Sequence, residues 1–341
     1  MLNAVYRLVE PRRFEVEWND IDLTDDMVLV RPTYLSICNA DQRYYQGKRP
    51  AEVLAQKLPM ALIHEGIGEV VMDTRSDFAP GQKVVMIPNT PYEEDEFVAE
   101  NYLRSSKFRA SGFDGFMQDT IAMRRDRIVL LPDGIDPHVA AFTEFTSVCY
   151  HAVGRFLKLA HARRDRIGIW GDGNLAFAIA LILKYREPGA KLYIFGKHEE
   201  KLANFSFAEE TYHINDIPDD VTVDHAFECV GSSGAPKAIN QIIDYIAPEG
   251  TISLLGVTEE LAPLNTRMIL EKGLRLFGSS RSGRGDFENT VKMYTEHPEM
   301  VRYLECLVDN IIEVNDMQDF VTAFEADIHK AGGKTVMHWN K

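Results

Sequence analysis

Residues 166–183 read RIGIWGDGNLAFAIALIL: a short strand-forming run passes directly into Gly171-Asp172-Gly173-Asn174-Leu175-Ala176 and then into an apolar helical stretch, Phe177 to Leu183. Few local structures satisfy that order. The glycines let the backbone turn sharply and approach a bound group, the alanine lets the helix pack tightly on the strand, and the helix N-terminus offers unpaired N–H groups to an anion. The pattern predicts a strand–turn–helix unit around a pyrophosphate, with Gly171, Gly173, Asn174, Leu175 and Ala176 against the ligand. The plainer alternative is a tight turn that binds nothing. Five further strand candidates alternate with helical segments: Lys191 to Phe195, Thr211 to Ile214, Asp224 to Glu228, Thr251 to Gly256 and Leu274 to Gly278. Six strands in this arrangement predict a doubly wound parallel sheet over residues 146–281 that binds a dinucleotide.

The first 145 residues have a different texture. Short strand-like runs (Val28 to Arg31, Gly66 to Met72, Lys83 to Ile87) are punctuated by proline and glycine, which predicts a β-rich domain. Tyr92 to Glu96 reads as a solvated acidic loop. Beyond residue 282 come helical stretches near Phe287 to Glu296 and Met317 to Asp327, then a terminal strand, Lys334 to His338. With 341 residues, about two domains are expected. Lys and Arg number 37 against 52 Asp and Glu, a net charge of −15, so nucleic acid and anionic membrane are poor partners. The longest strongly apolar stretch, Leu175 to Leu183, is shorter than the ~20 residues a bilayer span needs. The N-terminus carries charge where a signal peptide has an apolar core, so a cytoplasmic protein is expected. The four cysteines are dispersed without a C-x-x-C, which argues against a disulfide framework and a cysteine-only zinc knuckle.

Dinucleotide sites for NAD usually place an acid at the end of the second strand, where it binds the ribose 2′-hydroxyl. Here that strand ends in Gly196-Lys197-His198. Lys197 without that acid predicts NADPH over NADH, unless the lysine is only an exposed turn residue. Upstream, Cys38, His64 and Glu144 offer a thiolate, an imidazole and a carboxylate. Three such ligands with one exchangeable position describe a catalytic zinc.

Taken together, Cys38-x-x-Asp41, His64-Glu65-x-x-Gly68-x-Val70, Asp114-Gly115 leading to Pro132-Asp133, Glu144 and Gly171-x-Gly173-x-x-Ala176 resemble the zinc-dependent medium-chain dehydrogenase/reductase family. The resemblance implies an α/β chain with a GroES-like β-barrel catalytic domain (1–145), a six-stranded Rossmann cofactor domain (146–281) and a return segment completing the first (282–341). It implies that zinc lies in the interdomain cleft beside the nicotinamide. Glu144, where alcohol dehydrogenases carry cysteine, is similar to the polyol-dehydrogenase branch. Asp41 is expected behind His64, and Glu65 is expected to approach the metal and exchange with water or substrate oxygen. The segment from Pro91 to Gly112 lacks the four cysteines of a structural zinc lobe, so one catalytic zinc and no structural zinc is implied. Ala40 stands where relatives carry the Ser or Thr that starts the proton relay, which leaves zinc-bound water with Glu65 as the expected proton route.

The strings Ser36 to Tyr45, Leu62 to Gly66, Gly168 to Leu175, Asp224 to Gly231 and Gly278 to Ser282 are most similar to family members that reduce D-ribulose 5-phosphate to D-ribitol 5-phosphate with NADPH. That product is the precursor of CDP-ribitol for teichoic acid or capsule. The same resemblance puts Gly196, Gly231 and Ser279 along the cofactor. Arg43, five residues past Cys38, suits a substrate phosphate, or else makes a surface salt bridge. Tyr44 is expected to hold a hydroxyl, and Arg281 or Arg284 to serve a substrate or cofactor phosphate. The nearest alternative is a sorbitol- or xylitol-type zinc dehydrogenase of an unphosphorylated polyol. A zinc-free quinone reductase has no need of the ligands, and a non-enzymatic binding module is the remaining class. A homodimer through Leu274 to Gly278 and a cytidylyltransferase as pathway partner complete the expectations.

Overall fold

The structure, a computed structural model, describes all 341 residues. The chain divides into two compact units, Met1–Ser147 with Ser282–Lys341, and Val148–Arg281. No helix is long and apolar enough to cross a membrane.

In the first unit a seven-stranded sheet runs in the order Ile128–Leu130, Lys83–Met86, Glu65–Asp73, Met27–Ser36, Lys334–Trp339, Val308–Val314, with Ile121–Arg124 paired to Met27–Ser36 off that path. A second sheet joins the hairpin Leu2–Glu10 and Arg13–Asp20 to Met60–Ala61. The two sheets and the helix Met317–His329 enclose a core that includes Val28, Val30, Leu35, Leu62, Met86, Phe116 and Phe320. There Phe320 stacks on Trp339 with ring centroids 5.1 Å apart. Register is what matters for function. Ser36, the last residue of its strand, is paired with Glu65 on one side and with Val336 on the other. Ile37 then donates its N–H to the Thr335 carbonyl (3.0 Å), so the next residues, Cys38 and Lys334, arrive at one sheet end beside Glu65.

The second unit is a six-stranded parallel sheet in the order Glu210–His213, Lys191–Gly196, Arg166–Trp170, His225–Glu228, Thr251–Leu254, Arg275–Gly278. Counted in chain order this is 3-2-1-4-5-6, the doubly wound arrangement of dinucleotide-binding sheets. Every predicted strand is present, with ends shifted by one or two residues. The fifth stops at Leu254 because Leu255 and Gly256 turn their N–H groups back to the Glu228 carbonyl. Sequence reading did not identify the N-terminal hairpin or Val308–Val314. Half-exposed strands such as Arg13–Asp20 and Val308–Val314 carry charges among their apolar residues, and this blurs the alternation.

Candidate active site

Cys38 caps the short helix Asn39–Tyr45, and its own N–H donates to Asp41 Oδ2 at 3.2 Å. The other oxygen of Asp41 accepts the Ile63 N–H (3.0 Å) and lies 3.5 Å from His64 Nδ1. One buried carboxylate therefore ties together the segments that carry Cys38 and His64. Ile63 is held at φ +70°, a left-handed conformation costly for a β-branched residue. The Asp114-Gly115 segment holds it there. Asp114 accepts from the Ala61 N–H (2.9 Å) and is gripped by Arg7 (3.0 and 2.7 Å). Gly115 lies so close to the Leu62 and Ile63 carbonyls that a Cβ would sit 2.3 Å from either oxygen. The Phe116 N–H then bonds the Ile63 carbonyl at 2.7 Å.

The ligand atoms of Cys38, His64 and Glu65 all lie within 4.8 Å of one another. Burial opposes a charged His64, but Asp41 and Cys38 outweigh it and raise the imidazole well above its ordinary range. Both oxygens of Glu65 are 2.6 Å from Lys334 Nζ, and neither side chain reaches solvent appreciably. Lys334 sits over the Phe145 ring at 4.7 Å. Burial would lower the lysine, but Glu65, with Cys38 and Glu144, raises it instead. Glu144, in the first turn of Thr143–Leu159, is buried outside the three-residue cluster. Its carboxyl is pushed up to about 7 by burial, with His64 opposing and Glu65 adding to the rise. A soft thiolate, an imidazole and an excess of buried carboxylates fit a zinc ion, because a dication offsets the burial that lifts Glu144 and its repulsion by Glu65. Lys334 was not among the sequence-predicted site residues. Its charge at the head of the terminal strand, two residues ahead of the apolar pair Val336-Met337, was the available signal.

Arg43 and Tyr44 follow on the Cys38 helix. Tyr44 is buried, and Arg49 lies over its ring at 5.1 Å. Burial and the neighbouring Arg49 lower the Arg43 guanidinium below its ordinary range, so two like charges stand together there. Such a pair suits an anion. Arg284 instead donates to Glu288 on its own helix (2.7 Å). Arg281 sits at φ +58°, at the end of the second unit.

In that unit Gly171 has φ +132°, and a Cβ there would be 3.1 Å from the Cys229 backbone. Gly173 caps helix Asn174–Arg186 and faces open space. Asn174 and Leu175 open that helix and Ala176 is buried beneath it. The first loop is joined to the second by Asp172, whose Oδ2 accepts from the Lys197 N–H (2.6 Å), the His198 N–H (2.9 Å) and His198 Nδ1 (2.9 Å). Burial would raise this carboxyl, but its donors hold it below the usual range. Gly196 leaves the room, since a Cβ there would lie 2.7 Å from Asp172 Cβ. A second carboxylate, Glu228, gathers the N–H groups of Val230 (2.8 Å), Gly231 (2.9 Å) and Gly256 (3.0 Å). The Ser279 hydroxyl is buried without a hydrogen-bond partner, as a ligand-facing group would be. Sequence reading passed over Asp172 and Glu228. The acid between the two glycines was the visible signal for the first.

Residues 24–133 match the alcohol dehydrogenase GroES-like domain and residues 182–296 the zinc-binding dehydrogenase family. The chain is 55% identical over 339 residues to the ribulose-5-phosphate reductase of Bacillus spizizenii, covering 99% of each. It is 53% identical to ribulose-5-phosphate reductase 1 of Staphylococcus aureus, again over 99% of each. Among solved structures it is similar to S. aureus TarJ in complex with NADPH, with a TM-score of 0.90, 48% identity and full coverage of both chains.

Proposed function

The chain belongs to the zinc-dependent medium-chain dehydrogenase/reductase family, and we propose that its reaction is the NADPH-dependent reduction of the C2 ketone of D-ribulose 5-phosphate to D-ribitol 5-phosphate. The observation that carries this reading is full-length similarity to ribulose-5-phosphate reductases at more than half identity. The first unit handles substrate and metal, and the second holds the cofactor along Gly171, Gly173, Asn174, Leu175, Ala176, Gly196, Lys197, Gly231 and Ser279. One zinc per chain, held by Cys38, His64 and Glu144 with Glu65 alongside, acts as a Lewis acid toward the carbonyl when bound. Asp41 fixes the His64 ring through Nδ1. Residues 91–112 need no second metal on this reading. Glu100 there bonds Arg127 (2.9 and 3.3 Å) and the Arg284 N–H (2.6 Å), and its carbonyl accepts from Asn89 and Ser106.

Ala40 removes the hydroxyl relay, and Glu65 is assigned to relay a proton to the C2 oxygen from the Lys334 ammonium, 2.6 Å from both its oxygens. Glu65→Gln is expected to keep NADPH binding and lower kcat by roughly 10²-fold or more. Unchanged turnover would remove Glu65 from the reaction. Arg43 is assigned to the 5-phosphate, Tyr44 to a hydroxyl and Arg281 to a phosphate. Arg43→Ala should raise KM for ribulose 5-phosphate about tenfold, the worth of one charge-assisted hydrogen bond, and leave KM for NADPH alone. An unchanged KM for ribulose 5-phosphate would discard the assignment.

The deciding assay follows NADPH absorbance with zinc-replete protein and ribulose 5-phosphate, D-ribulose or D-fructose, with NADH in parallel. Turnover confined to NADPH and the phosphorylated ketose supports the proposal, and turnover confined to NADH and free sugars overturns it. The product suits a cytidylyltransferase making CDP-ribitol for teichoic acid or capsule, in the cytoplasm. The sheet edge at Arg275–Gly278 is the surface assigned to a homodimer. Light scattering at a monomer mass would contradict that.

A further inference from the structure

We propose that Asp172 sets the preference for NADPH over NADH by locking the Lys197–His198 loop into a seat for the cofactor's 2′-phosphate. The inference rests on the NADPH reading above and adds two residues to it. A carboxylate near the end of the second strand ordinarily selects NADH, because it accepts from the ribose hydroxyls. Asp172 is such a carboxylate, supplied from the first loop instead of the second strand, yet the acceptor oxygen it turns toward the second loop is already taken. Three N–H groups converge on Oδ2: those of Lys197, His198 and the His198 ring. The acid is thereby a clamp on the second loop.

The geometry of the clamp is specific. Gly196 must lack a side chain, since a Cβ would collide with Asp172 Cβ at 2.7 Å and Oδ2 at 2.8 Å. With Nδ1 committed to Asp172, Nε2 is the remaining polar atom of the His198 ring, and that side chain is half-exposed. Lys197 supplies the ammonium of this seat, on a chain whose net charge is −15. A dianionic 2′-phosphate gains from the ammonium, and a 2′-hydroxyl gains little. The competing account makes Asp172 a structural link between two loops. A structural link would serve both cofactors alike.

Full-length wild type, Asp172→Ala and His198→Gln would be titrated calorimetrically with NADPH, NADH, 2′,5′-ADP and 5′-AMP. Asp172→Ala should weaken NADPH and 2′,5′-ADP by about tenfold or more, with NADH and 5′-AMP changed by less than about twofold. His198→Gln, a substitution of an exposed side chain that does not threaten the fold, should shift the same pair of ligands in the same direction. Parallel losses for all four ligands, or no loss in either variant, would overturn the inference while leaving the NADPH reading intact. Equal affinity of the wild type for NADH and NADPH would overturn both.

Discussion

Cys38→Ser abolishes most of the ketone reduction, a loss of roughly 10³-fold in kcat, while NADPH affinity stays within error of wild type. The size follows from the Lewis-acid contribution, several kcal/mol of transition-state stabilisation at 1.36 kcal/mol per factor of ten. Serine is a far poorer zinc ligand than thiolate, and the remaining groups would have to hold the ion against Lys334, already bonded to Glu65 at 2.6 Å. The cofactor loops belong to the other compact unit, so their binding energy is untouched. Metal analysis, turnover and a cofactor titration on one preparation test this. A serine variant that keeps both stoichiometric zinc and full turnover would remove Cys38 from the metal site. Chelator-stripped wild type should reproduce the variant and recover when zinc is returned.

Lys334→Met destabilises the first unit by about 3–5 kcal/mol, because it leaves the buried Glu65 carboxylate without the ammonium that bonds both its oxygens. Urea unfolding of the metal-free protein, followed through Trp18 and Trp339, measures it. The double variant Glu65→Gln with Lys334→Met should recover most of the loss, since removing both charges together avoids the uncompensated carboxylate. If the single variant unfolds at the wild-type midpoint, the pair does not anchor the terminal strand. A full loss in the double variant would instead point to packing of the lysine stem over Phe145.

The parts of this molecule legible in its sequence are those whose cause is local. The run from Arg166 to Leu183 spells strand, turn and helix in consecutive residues, and alternation of strand and helix signals gave the six-stranded sheet its order. Residue chemistry also singled out Cys38, His64 and Glu144 as candidates, because a zinc site needs those donor types wherever the fold collects them, and the family resemblance added Glu65. Lys334 stayed invisible because its meaning lies 269 residues away at Glu65. Asp114-Gly115 was recognised as a motif without a reason. Its reason is the φ of Ile63, which depends on hydrogen bonds to two separate segments, at Asp41 and at Asp114 to Phe116. Asp172 looked like the variable residue of a glycine loop until its oxygen was seen to close on Lys197 and His198.

Hydrophobic periodicity and turn chemistry thus determined, from the sequence by itself, the six strands of the cofactor sheet and the class of cofactor, and residue types named the candidate metal donors. The tertiary structure alone decided which charges meet. The pairing of Ser36 with both Glu65 and Val336 is a choice of register, and one residue of slip would turn Lys334 away from Glu65. Register is selected by the packing of the whole barrel core, so no window of sequence contains it.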